Sequence, residues 1–94
     1  MKKIYIAGPM TGLPEFNKPA FYAKADELRK EGFIVLNPAV LPEGLEHHEY
    51  MDICLPMVQV ADAIYMLFGW ENSKGATMEH EYAFDIELPI IYQC

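Results

Sequence analysis

Ile4-Tyr5-Ile6-Ala7-Gly8-Pro9-Met10-Thr11-Gly12 begins as a continuous apolar run and breaks into a loop at Gly8-Pro9. A strand with one wet face alternates apolar and polar residues. A strand covered on both faces does not, so this run predicts an interior strand of a parallel sheet. Parallel neighbours are joined by long crossovers, usually helical, and the chain beyond the loop has that periodicity. Pro19–Glu31 reads as a helix with Phe21, Ala25 and Leu28 on its buried stripe, Asn17 as its cap and Gly32 as its terminator. Phe33–Leu36 predicts a second strand, stopped by Asn37-Pro38. After a loop through Glu46, His47–Val60 predicts a helix whose stripe is Tyr50, Ile53, Cys54, Met57, Val58 and Ala61. Pro56 inside it should kink the helix or remove a hydrogen bond. Asp62–Phe68 reads as a third strand, Gly69–Lys74 as its exit loop, Gly75–Glu87 as a third helix and Leu88–Tyr92 as a fourth strand.

The order βαβαβαβ implies one α/β domain over residues 1–94, with right-handed crossovers and helices on both faces of the sheet. The expected architecture is a three-layer, flavodoxin-like fold around a four-stranded parallel sheet in the order 2-1-3-4. Such sheets bind ligands beyond the carboxyl ends of the strands, where the order reverses. That point lies between strands one and three, which assigns the site to the loops Gly8–Lys18 and Gly69–Lys74. The first helix should cover one face and the other two the opposite face. No helix follows strand four in this sequence to sit beside the first, leaving apolar surface that a homo-oligomer, at least a dimer, would bury.

Composition narrows the function. Of 94 residues 52% are hydrophobic, too many for a disordered chain. No run approaches the roughly 18 uncharged apolar residues of a membrane helix. Seven Lys and Arg against 14 Asp and Glu, a net charge of −7, argue against a nucleic-acid polymer. Small neutral or locally neutralised ligands are the expected partners. Cys54 and Cys94 are far apart without metal-type spacing, which suits reduced thiols in the cytoplasm. The opening MKKIYIAGP breaks too early for a secretory h-region. His47 and His48 are adjacent, point apart on a helix and make a poor metal pair, so no metal is expected.

Glu79 stands out because it shares its helix face with Ala76, Ala83 and Ile86, so a carboxylate points inward near a helix start. Either it binds nearby backbone N–H groups or it serves a ligand. Gly8, Pro9, Met10 and Thr11 could let a ligand approach the backbone, or simply form a tight turn. Tyr5, inside the first strand, needs a partner for its hydroxyl, a backbone carbonyl or a site group. Gly69 and Trp70 face the same expected crevice, where Trp70 could stack on a base or cover the core. Ser73 is a natural helix cap and a possible ligand contact. Asp62 begins its strand, at the end of the sheet away from the site, and has a structural role. The second helix starts near the site, which makes Asp52, ahead of His47 or His48, the candidate proton donor.

With Tyr5-Ile6-Ala7-Gly8-Pro9 at one end and Ser73-Lys74-Gly75-Ala76-Thr77-Met78-Glu79 at the other, the chain resembles the nucleoside 2-deoxyribosyltransferase superfamily, and most of all its short phage and prophage members. The resemblance implies a flavodoxin-like fold, oligomers and cleavage of N-glycosidic bonds in nucleosides or nucleotides. It casts Glu79 as the nucleophile and Tyr5 as the residue that orients it. It also exposes departures. Ser73 stands where the transferases carry an aspartate, as in the related deoxynucleoside 5′-monophosphate N-hydrolases, whose serine contacts the phosphate. The arginines of the hydrolases' glycine loop are missing, leaving Lys18, and Cys54 replaces a second family aspartate. The implied reaction is attack by Glu79 on C1′ with no metal or organic cofactor. The alternative is a nucleotide-binding module that has lost efficient catalysis.

Overall fold

In the computed structural model, which describes residues 2–94, strand β1 (Lys3–Ala7) lies at the centre of the sheet. It pairs in parallel with β2 (Ile34–Leu36) on one side and β3 (Ala63–Met66) on the other, and β3 pairs in parallel with β4 (Ile90–Tyr92). The order is β2-β1-β3-β4, as the crossover argument requires. Helices α1 (Lys18–Lys30), α2 (His47–Val60) and α3 (Lys74–Asp85) make the connections, and together with the sheet they form a three-layer α/β fold. Among the described residues, no helix is long and apolar enough to cross a membrane.

Alternation along β1 divides the core. Ile4 and Ile6 pack with Phe21, Ala25 and Leu28 of α1 on one face. Tyr5 and Ala7 join Ile64 and Met66 of β3 against α2 and α3 on the other. The one buried tyrosine hydroxyl of β1 is thereby aimed at the α3 layer. Gly8 follows because a Cβ there would stand 2.8 Å from Cβ of Leu67, closer than packed carbons can approach. The glycine is thus required by the core behind the loop.

Several local expectations are corrected. The buried stripe of α2 is Met51, Cys54, Val58 and Ala61, whereas Ile53 is 40% exposed. The helix is rotated toward α3, whose Gly75 lets Cε of Met51 come within 3.3 Å of where a Cβ would sit. At Pro56 the expectation holds in its second form: α2 continues as one helix and loses a hydrogen bond, on its exposed side, where water can serve the freed carbonyl. Strand β3 stops at Met66 because the next-but-one amide, that of Phe68, is taken by the Gln93 side chain at 2.8 Å. Strand β4 starts only at Ile90, because the amide of Leu88 closes the end of α3 on the carbonyl of Ala83. Asn17 does not cap α1. It adopts a left-handed backbone, and its amide donates to the carbonyl of Pro9 at 2.9 Å, tying the β1–α1 loop to itself.

On the face shared with α1, Tyr65 lies beneath the ammonium of Lys24, 4.8 Å above its ring. Ile91 beside it on β4 remains 42% exposed.

Candidate active site

The second helical layer does not seal the sheet. At the carboxyl end of β1 a cavity of about 400 Å³ opens between the β1–α1 loop, the loop before α2 and the first turns of α2 and α3. That volume lies in the range of roughly 300–1,000 Å³ usual for small-molecule sites. Tyr5 and Glu79 form its floor with Cys54, and Gly8, Met10 and Thr11 one wall. Leu41, Leu45, Tyr50 and Met51 supply apolar surface opposite.

At the floor, the Tyr5 hydroxyl donates to Oε2 of Glu79 at 2.5 Å. Both are buried, with Glu79 5% exposed and Tyr5 fully covered. Such a pair needs two independent placements. Strand alternation turns Tyr5 to the α3 side, and the register of α3 puts Glu79 on the same stripe as Ala76 and Ala83. The small alanines let the helix approach the sheet closely enough for the two side chains to meet.

Electrostatics follow from burial. Loss of hydration pushes the Glu79 carboxyl up to about 7, against the opposing pull of hydrogen bonds from Tyr5 and Cys54. Burial and then the neighbouring Glu79 charge hold the Tyr5 hydroxyl well above its ordinary value. Burial also pushes the Cys54 thiol up to about 11. Around neutral pH, Tyr5 and Cys54 therefore keep their protons and act as donors, while Glu79 is poised between its two forms.

Of the residues singled out from sequence, Tyr5, Gly8, Met10, Thr11, Ser73 and Glu79 meet at this cavity. Ser73 also caps α3, its Oγ accepting the amide of Ala76 at 3.2 Å. Pro9, Gly69, Trp70 and Asp52 lie outside the lining. Gly69 turns the chain in a left-handed conformation packed against Pro9, and this sends Trp70 toward β4. There its ring stacks on His80 at 4.2 Å, beside Tyr92, and faces a separate shallow hollow. Asp52 is exposed, on the side of α2 away from the buried Met51–Cys54 stripe. His47, one turn earlier, does line the cavity. Asp62 accepts the Lys3 amide at 2.8 Å at the amino end of the sheet, and that bond lowers its carboxyl below the ordinary value.

The wall that sequence reasoning missed is the segment between β2 and α2. It folds back over the cavity, to which the expected Gly69–Lys74 loop contributes Ser73 alone. Asn37 Oδ1 accepts the amide of Ala39 to start its turn, and the Tyr50 hydroxyl donates to the carbonyl of Pro42 at 2.7 Å. Lys18 Nζ meets the Glu43 carboxylate at 3.0 Å across the mouth. Residues 37–46 carry no hydrophobic periodicity, so the sequence offered no local signal for this wall.

A family model described as "Domain of unknown function (DUF4406)" matches residues 2–92. Among curated proteins none matches the chain. Among solved structures, the chain is similar to one described as "2-desoxiribosyltransferase from Leishmania mexicana", with a TM-score of 0.78 and 20% identity. The match covers 98% of this chain and 63% of that one, so this chain spans less than two thirds of that protein's length. At this identity the likeness is one of fold.

Proposed function

The chain belongs to the DUF4406 family, and we propose that its cavity cleaves the N-glycosidic bond of a (deoxy)nucleoside or nucleoside 5′-monophosphate. The observation that carries this reading is the buried Glu79 carboxyl on the floor of an otherwise largely apolar cavity, held by the Tyr5 hydroxyl. A buried carboxyl that gains nothing for stability and faces a ligand-sized space is a candidate nucleophile.

In the proposed reaction Tyr5 occupies Oε2, and the other oxygen of ionised Glu79 attacks C1′ as the bond from C1′ to the base nitrogen breaks. The transition state is oxocarbenium-like, and the product is a glycosyl ester on Glu79. The leaving nitrogen takes the electron pair and needs a proton. His47, on the cavity wall where Asp52 is not, is the proposed donor. A second base attacking C1′ gives transfer, and water gives hydrolysis. Either returns the Glu79 carboxylate. The Gly8–Thr11 backbone and Ser73 hold the sugar, and the apolar wall holds the base. The enzyme acts as a homo-oligomer in the cytoplasm, a setting that suits its free thiols Cys54 and Cys94.

The test is base release from a panel of nucleosides and their 5′-monophosphates, followed by chromatography with and without a free acceptor base. Release that disappears in Glu79→Ala is expected. Release that survives the substitution refutes the nucleophile. No release by a protein that still shows a ligand-induced thermal shift replaces the enzyme with a binding module.

A further inference from the structure

Resting on the reading of the cavity as a nucleoside site, we infer that the site selects the uncharged nucleoside, with a free 5′-hydroxyl, over its 5′-phosphorylated form. A phosphate group is held by unpaired Lys or Arg, by open helix N-termini, or by both. The lysine at this cavity and the start of α2 are already engaged, and the start of α3 in part. Lys18 is the one Lys or Arg among the cavity-lining residues described, and its ammonium is paired with Glu43 at 3.0 Å. The start of α2 carries Glu46 and Glu49, and Oε1 of Glu49 accepts the Glu46 amide at 2.8 Å, so carboxylates occupy that positive end. At the start of α3, Ser73 Oγ already takes the amide of Ala76.

The carboxylates of the cavity oppose a phosphate. Glu43 stands on the rim and Glu79 on the floor, within a chain whose net charge is −7. A phosphate entering this space must displace Glu43 from Lys18 or engage His47, the proposed proton donor. A 5′-hydroxyl does neither, and it can hydrogen-bond to backbone groups of the Gly8–Thr11 loop.

Calorimetry or thermal shift would compare the four common 2′-deoxyribonucleosides with their 5′-monophosphates, at low and at high salt. The expected result is nucleoside binding at least about tenfold tighter than its monophosphate at low salt, with the gap narrowing as salt screens the repulsion. Glu43→Gln releases Lys18 and narrows the ratio several-fold, whereas Lys18→Gln widens it. A monophosphate that binds as tightly as its nucleoside, or a ratio unmoved by Glu43→Gln, overturns this inference and leaves the nucleoside reading intact. Binding of neither form overturns the nucleoside reading and this inference with it.

Discussion

Replacing Glu79 with glutamine should stabilise this protein, and only at neutral to alkaline pH. The carboxyl sits at about 7 in the folded chain against an ordinary 4.5. Between those values the native state holds a proton that the unfolded chain has released, so stability falls as pH rises through this window and levels off above it. A difference of this size disfavours the folded, ionised protein by about 3 kcal/mol relative to one with a neutral group there. With Glu79 only 5% exposed, solvent screens little of that cost. Glutamine is neutral, nearly isosteric and still offers an oxygen to the Tyr5 hydroxyl. Wild type and Glu79→Gln should be about equally stable near pH 4, and the variant more stable by up to about 3 kcal/mol near pH 8. For a chain of this length that corresponds to a Tm higher by about 10–20 °C. Urea titrations followed by circular dichroism across this range would measure it, and the difference between the two proteins cancels the other titrating groups. Parallel pH profiles, or a variant less stable than wild type near pH 8, would refute the claim that the fold bears a cost to keep this carboxylate buried. The expected pattern of a more stable, inactive variant marks a residue kept for function.

Glycosidic cleavage, measured as base release, should rise with pH up to about 7 and then level on that limb, because ionised Glu79 is the attacking form; a rate flat across this range would refute that role. Tyr5→Phe removes a hydrogen bond to a charged group, worth roughly 1.5–3 kcal/mol. It should lower the rate about 10- to 100-fold and move the limb to higher pH, which a pH–rate profile would detect. Gly8→Ala places a methyl 2.8 Å from Cβ of Leu67 and should cost about 1–3 kcal/mol in a denaturant titration. An unchanged midpoint would mean that the loop yields freely. Sedimentation should give at least twice the chain mass, and Ile91→Lys on the exposed β4 face should dissociate the assembly. A monomer at every concentration would refute the homo-oligomer.

The architecture was legible because it depends on patterns local in sequence. The unbroken run at Ile4–Ala7, the stripe Phe21, Ala25 and Leu28, and the alternation of strands and helices suffice for a parallel sheet in the order β2-β1-β3-β4. Handedness and connection length then leave few alternatives. Glu79 was legible for a related reason, as a carboxylate on an apolar helical stripe is a local contradiction that points to a site. Ser73 as the cap of α3 was equally local.

Tertiary packing decided the rest. Residues 5 and 79 reveal nothing of each other through spacing, and their hydrogen bond exists because strand register and helix approach coincide. The burial of Met51 rather than Ile53 on α2 is set by Gly75 in another element and places His47 rather than Asp52 at the cavity. Trp70 left the expected crevice because the left-handed turn at Gly69 directs it to His80 and Tyr92. The segment before α2 has no periodicity to read, and only its bonds from Asn37, Lys18 and Tyr50 fold it over the site. Short-range patterns determine which surfaces must be buried, while the partners that bury them come from residues far away along the chain.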